Sequence, residues 1–585
     1  MVELHLDDIY VDTTLLAAWF PIDLEFDLSA LAIKVTSREP LPIEQRLERE
    51  AKTARLGRGA VERPQFPRFE VPYRLIDFPF MDTTHAFAFD RSGGARASST
   101  TLVTGDLLYM DTSLFLASDN DQLLSRARLT MGRKDPDSAL LGRLRLSEFQ
   151  LGDVFTPQLP LIASQREGRG VTISSFPLFR PTEFDRTTLR GELPLGWEVE
   201  LYRNEILLDF QRSPTDGRYE FVDVPLLFGL NVLRLVFYGP QGQRRDETRR
   251  VFVGPGLVRR GEQFYRVAVN QQDEDTIPLG DQAFADERRG KVRLFAEYER
   301  GITSNFAVAG SFASLPLEEG RHSYSSLGLR GALFGAFLRF DATMDIEGGA
   351  AAQGSVQTRL FGLNLFAEHG QFFDFESERV EAASDRRESR TNLRVDGTIP
   401  EWVLPRIPFS LNGTLDRRHS GRSDFNLTNR LSMFVGGVSG SNTVNYFRSG
   451  GGGTVTTSTA SGSLLVNARI ERLLLRGTLS YALDPVFEFN NLSLTADYTF
   501  DRDLNTRFAI NQQLTGDRST SASAAIFRVF KNVAFGANAS ASDDGEFAFG
   551  LTLTFSAGRE PRGGTIIRHP RGLARSGAAS ARVFL

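Results

Sequence analysis

The 585-residue chain holds six histidines, His5, His85, His322, His369, His419 and His569, and no cysteine. Imidazole and thiolate are the side chains that most often bind transition metals or serve as base and nucleophile. None of the histidines pairs with another at ligand spacing, and no HExxH occurs, so they read as isolated surface or lumen residues. The absent cysteine removes disulfides, thiolate metal sites and a thiol nucleophile. There is no GxSxG elbow and no P-loop. A Ser, His and Asp can still meet in space, but nothing in the sequence gathers them.

The acidic run "QQDEDTIPLGDQAFADE" (Gln271 to Glu287) offers carboxylate oxygens of the kind calcium takes, without EF-hand spacing. It reads as a solvated loop. The clusters "DRRESR" (Asp385 to Arg390) and "DRRHSGR" (Asp416 to Arg422) read as loops or lumen walls. No catalytic, cofactor-binding or metal residue is assigned, no cofactor is expected, and the chain is not expected to be an enzyme. A formal net charge of −5 supplies no global basic field for nucleic acid.

What remains is charge at regular intervals. In "LLSRARLTMGRK", Arg126 and Arg128 oppose Ala127 and Leu129. In "VRLFAEYE", Arg293 and Glu297 oppose Val292, Leu294, Ala296 and Tyr298. In "FLRFDATMDI", Arg339 and Asp341 oppose Leu338, Phe340, Ala342 and Met344. In "TRFAINQQL", Arg507 opposes Phe508 and Ile510. Period-two alternation is the mark of a strand with one apolar and one polar face. A stack of soluble β-domains would turn the apolar face inward. A transmembrane barrel would turn it out to lipid, where charges are costly. The seven charges Arg126, Arg128, Arg293, Glu297, Arg339, Asp341 and Arg507 are then expected to face a wet lumen.

Length favours the barrel. The segments run about 10 to 13 residues, as tilted membrane strands require, and are separated by turns such as "SGGAR", "TGDRST" and "SDDGE". No run of about 18 apolar residues marks a transmembrane helix. Roughly six strand-like segments precede a compact β-rich stretch and about eighteen follow it. The expected fold is mainly β: a large transmembrane antiparallel β-barrel of about 24 strands with an inserted β-sandwich. The expected segments are 1–60, a partial N-terminal periplasmic domain with a charged helix from Pro42 to Gly57; 61–180, the first barrel strands; 181–255, the insert; 256–558, the remaining barrel strands; and 559–585, a linker toward a missing C-terminal domain. The N-terminus lacks the basic and apolar regions of a signal peptide, so an exported chain would begin after its signal.

The insert carries a resemblance. "LRLSEFQLGDVFTP" and "GRGVTISSFP" precede it, "LRGELPLGWEVELYRNEILL", "DGRYEFVDVPL" and "LNVLRLVFYGPQGQ" compose it, and "GLVRRGEQFYRVAVN" follows it. In this order, between two groups of barrel strands, the phrases resemble the fimbrial usher family of outer-membrane assembly platforms. Glu205 stands where the family's plug has Gly after Asn, and "SPTDGRYEF" replaces its Pro-rich turn. The resemblance implies a divergent usher, truncated at both ends, in the bacterial cell outer membrane. It implies a plug containing Trp197, Val199, Tyr202, Asn204, Gly217, Phe221 and Asp223. It implies outer-membrane lipid, periplasmic chaperone–subunit complexes and exported pilin-like or surface subunits as partners, and no nucleic acid. A porin-like or TonB-type transporter, or a structural surface β-protein, is the alternative.

Overall fold

The computed structural model describes residues 2–4, 9–11, 13–20, 22–27 and 32–38 and, with short gaps, 72–558. The helix expected from Pro42 to Gly57, most of the Pro-rich stretch at 63–74, and 559–585 lie outside the described residues. The chain divides into two units, Met1–Pro72 and Tyr73–Leu585. In the first, Val2–Leu4 pairs with Ile9–Val11, and the helix Thr13–Trp19 precedes the hairpin of Ile22–Asp27 with Ala32–Ser37. The Arg38 guanidinium donates to Ala17 O (2.6 Å) and Ile22 O (2.9 Å), tying helix to hairpin.

In the second unit the described residues form a closed barrel of 24 strands. Six run from Phe80–Asp90 to Glu167–Ser174, and eighteen from Gln263–Gln272 to Phe547–Ala557. All neighbours are antiparallel, and the last strand closes on the first, from Ala548 against Asp90 to Ala557 against Met81. Closure leaves no edge with unpaired backbone groups, which a membrane would penalise. The strands span 8 to 17 residues, a wider range than their spacing implied. Several turns at the end where the chain enters the barrel are two-residue hairpins with positive φ at both positions. Phe334 (φ 50°) and Gly335 (φ 76°) make one, Phe361 (φ 52°) and Gly362 (φ 80°) another. Such turns match the twist of the flanking strands.

The strand Ala336–Asp345 shows which face points where. Leu338, Phe340 and Met344 are 38%, 49% and 60% exposed, while Asp341, Thr343 and Asp345 are 5%, 3% and 3% exposed. The apolar face is outside and the charged face inside, the reverse of a soluble β-domain. Exposed Val308, Leu327, Leu329, Leu431 and Phe508 continue the apolar exterior on other strands. No described helix is long and apolar enough to cross a membrane.

Candidate functional site

Between Ser174 and Gln263 the chain leaves the barrel sheet, and its described strands pair in two small sheets of their own. Glu198–Arg203, Ile206–Arg212, Gly229–Tyr238 and Arg244–Val253 form one sheet; Arg186–Glu192 pairs with Arg218–Pro225 in a second. Leu189, Val199, Leu201, Tyr219, Phe221, Leu233, Leu235 and Phe237 fill the space between them, with Trp197 packed on the margin. Leu233, Leu235 and Phe237 keep strict alternation into the core, and Val232, one residue out of that phase, is half-buried. Asn204 occupies the tight turn at φ 48°; its Oδ1 accepts from Val232 N (2.8 Å) and its N–H donates to Val232 O (2.9 Å). Asn tolerates this left-handed backbone better than most residues; Glu205 lies outside the described residues. Tyr202 donates to Glu200 Oε2 (2.8 Å), and burial, then the Glu200 charge, push its phenol well above the usual range. Asp223 lies in the strand Arg218–Pro225; Gly217 lies outside the described residues.

This small sandwich is held against the inner face of the barrel on two sides. On one, Arg203 is 1% exposed and its Nη2 meets Asp396 Oδ1 at 2.9 Å. Arg394 Nη2 and Gln357 Nε2 both donate to Leu226 O (3.0 Å each), and Arg430 Nη2 donates to Leu208 O (2.9 Å). Arg476 reaches Glu200 (3.2 Å) and lies 4.2 Å over the Tyr238 ring. On the other side, Arg218 Nη2 donates to Glu167 (2.7 Å), Arg190 Nη1 to Gln165 (2.6 Å) and Thr188 Oγ1 to Gln158 (3.1 Å). Charge-assisted bonds and neutral hydrogen bonds fix the orientation of the seat, and Tyr202, Val236 and Tyr238 of the insert, outside its own core, are buried as well, with Tyr238 under Arg476.

Beyond the insert, at the opposite end of the lumen from the Phe334 turn, two loops fold inward. Leu159, Leu161, Ile162 and Ala163 of the loop 156–166 pack with Phe375 and Val380 of the loop 374–386 and with Phe295, Leu315 and Tyr324 of the wall. Arg293, fully buried, joins them: it meets Glu378 at 2.7 Å, donates to Thr156 Oγ1 (2.7 Å) and reaches Ser164 O (3.1 Å). Burial pushes the Glu378 carboxyl up, and Arg293 opposes that.

The structure therefore separates the seven charges picked out in the sequence. Arg293 anchors the loops. Arg126 meets Asp275 (3.2 Å), Glu297 meets Arg266 (3.3 Å), and Asp341 is shared between Arg339 and Arg330 (2.6 Å each). Arg128 lies 4.3 Å over Phe115. Arg507 bonds Asp497 (2.6 Å) and lies 5.8 Å over Tyr238 of the insert. The partners of the insert, Gln357, Arg394, Asp396, Arg430 and Arg476, were missed. Their signal was present, since "LRVD" alternates like the others, but alternation gives a face and not a partner.

The described residues of the second unit thus form a 24-stranded barrel with a sandwich carried between its sixth and seventh strands, and solved structures are similar to it in fold. The chain has the fold of a pilus usher. An E. coli P pilus tip assembly intermediate, PapC-PapD-PapK-PapG, aligns with a TM-score of 0.55 and 14% identity over 92% of this chain and 66% of that one. The chain thus spans just under two thirds of that structure's length. The translocation pore of the P pilus usher PapC aligns at TM-score 0.48 and 14% identity, over 83% of this chain and all of that one. The ferric enterobactin receptor PfeA from Pseudomonas aeruginosa is more distant, at TM-score 0.35 and 10% identity over 82% and 80%. No protein-family model and no curated protein sequence matches the chain. With its apolar exterior and polar interior, the usher fold here is an outer-membrane β-barrel.

Proposed function

We propose that the barrel is a gated channel of the bacterial outer membrane that exports and assembles pilin-like or other surface subunits, with the inserted sandwich as its gate. The observation that carries this reading is the seat of the insert, which lies across the lumen and is held to the wall by Arg203–Asp396, Glu200–Arg476 and Arg218–Glu167. A polar seat suits a part that must leave and return: water replaces its hydrogen bonds when it opens, whereas an apolar seat would expose surface to water. The solved complex of PapC with PapD, PapK and PapG supports periplasmic chaperone–subunit complexes as the cargo. Six strands precede the insert, which counts against a TonB-type receptor, whose plug comes before all barrel strands.

Because the chain lacks cysteine, a reversible lock can be built. Cysteines at Thr188 and Gln158, joined by a cleavable thiol-reactive linker, should stop subunit export, and cleaving the linker should restore it. Undiminished export through the linked protein would refute the gate.

A further inference from the structure

At the rim bearing the inward-folded loops, the strand Gly320–Leu333 begins beside the end of Ala336–Asp345. His322 lies on the first and Asp345 on the second, and the ring Nδ1 sits 2.6 Å from Asp345 Oδ2. The chain then turns back through Gly348 (φ 138°) and Gly349 (φ 95°). A side chain at Gly349 would strike the Asp374 carbonyl, so the turn can only be this tight with glycine there. Glu347 stands just before these glycines, and its Oε2 accepts from Ser323 N (2.9 Å). One ligand atom each from His322, Asp345 and Glu347 then lies within 4.8 Å of the others. The Asp345 side chain is almost wholly buried, that of His322 mostly so, and Glu347 is open to solvent.

We propose that His322, Asp345 and Glu347 form a binding site for a first-row divalent cation such as Zn2+. Two carboxylates facing one point repel unless a positive charge or a shared proton lies between them, and a bound cation supplies that charge. One nitrogen and two oxygen donors suit zinc, which binds such groups at about 2.0–2.2 Å and leaves a fourth position for water when three protein ligands are used. Calcium and magnesium prefer all-oxygen shells. The site reaches the lumen loops. The His322 ring stacks on Tyr324 (6.2 Å, 19°), and Tyr324 packs edge-on against Phe375 and donates to Glu376 O (2.8 Å). A bound cation fixes the imidazole, and through it the ring under the loop 374–386. The proposal stands apart from the export reading.

The test is Zn2+ titration by calorimetry of the full chain in detergent, purified without a histidine tag, beside His322→Ala and Glu347→Gln. The expected result is one saturable site in the parent chain, abolished in the first variant and weakened at least tenfold in the second, with an excess of Mg2+ failing to compete. Glu347 is solvent-exposed, so Glu347→Gln keeps the fold and makes the comparison valid if His322→Ala unfolds; heat-modifiable electrophoretic mobility checks both. No saturable binding by the parent chain, or equal affinity in Glu347→Gln, would overturn the site.

Discussion

At the scale of single residues, the ion pair of Arg203 with Asp396 has the sharpest consequence. Both side chains are nearly sealed from solvent, and Arg394 leans on the same carboxylate at 3.2 Å. Asp396→Ala leaves a buried guanidinium without its counter-charge, a change that costs about 3–5 kcal/mol. The loss falls on the seat, because Arg203 belongs to the insert and Asp396 to the wall. The expected outcome in planar bilayers is a channel with frequent large openings where the parent is quiet. Glu378→Ala should act elsewhere: it strands Arg293 and frees the loops 156–166 and 374–386, raising their cleavage rate in limited proteolysis while the insert stays protected. These partners were not legible in the sequence. Arg203 and Asp396 stand 193 positions apart, and their meeting depends on where the inserted sandwich comes to rest against the wall. His322 was read as isolated for a related reason: its carboxylates arrive across a strand pairing and a turn, not at a helical spacing.

At the scale of elements, the alternation was legible because each strand of a closed sheet offers its side chains only two environments. Neighbouring positions in Leu473–Asp484 should therefore respond very differently to the same charge. Leu479 shares its face with exposed Leu475, whereas Thr478 shares its face with Arg476. Leu479→Arg places a cation against lipid and should cost about 2–4 kcal/mol near the bilayer midplane. Thr478→Arg should be close to neutral. Urea unfolding in liposomes distinguishes them, and equal losses would mean the faces are assigned wrongly. The inward loops were less legible. "FTPQLPLIASQ" (Phe155 to Gln165) is apolar without a period, and a short apolar loop reads the same whether it faces lipid, lumen or water. The strands of the insert were visible through their turns, Asn204 among them, and the inward series Leu233, Leu235 and Phe237 keeps period two.

At the scale of the whole molecule, strand count and closure were legible because turns rich in Gly, Asn and Asp punctuate segments of membrane-crossing length. The position of the insert relative to the wall was not, and that position carries the account. The most direct measurement is single-channel conductance in planar bilayers, comparing the intact chain with one lacking residues 185–253. The account predicts a quiet intact protein and a large, steady pore after deletion. Equal large conductance from both would contradict it, leaving an open barrel in which the insert closes nothing.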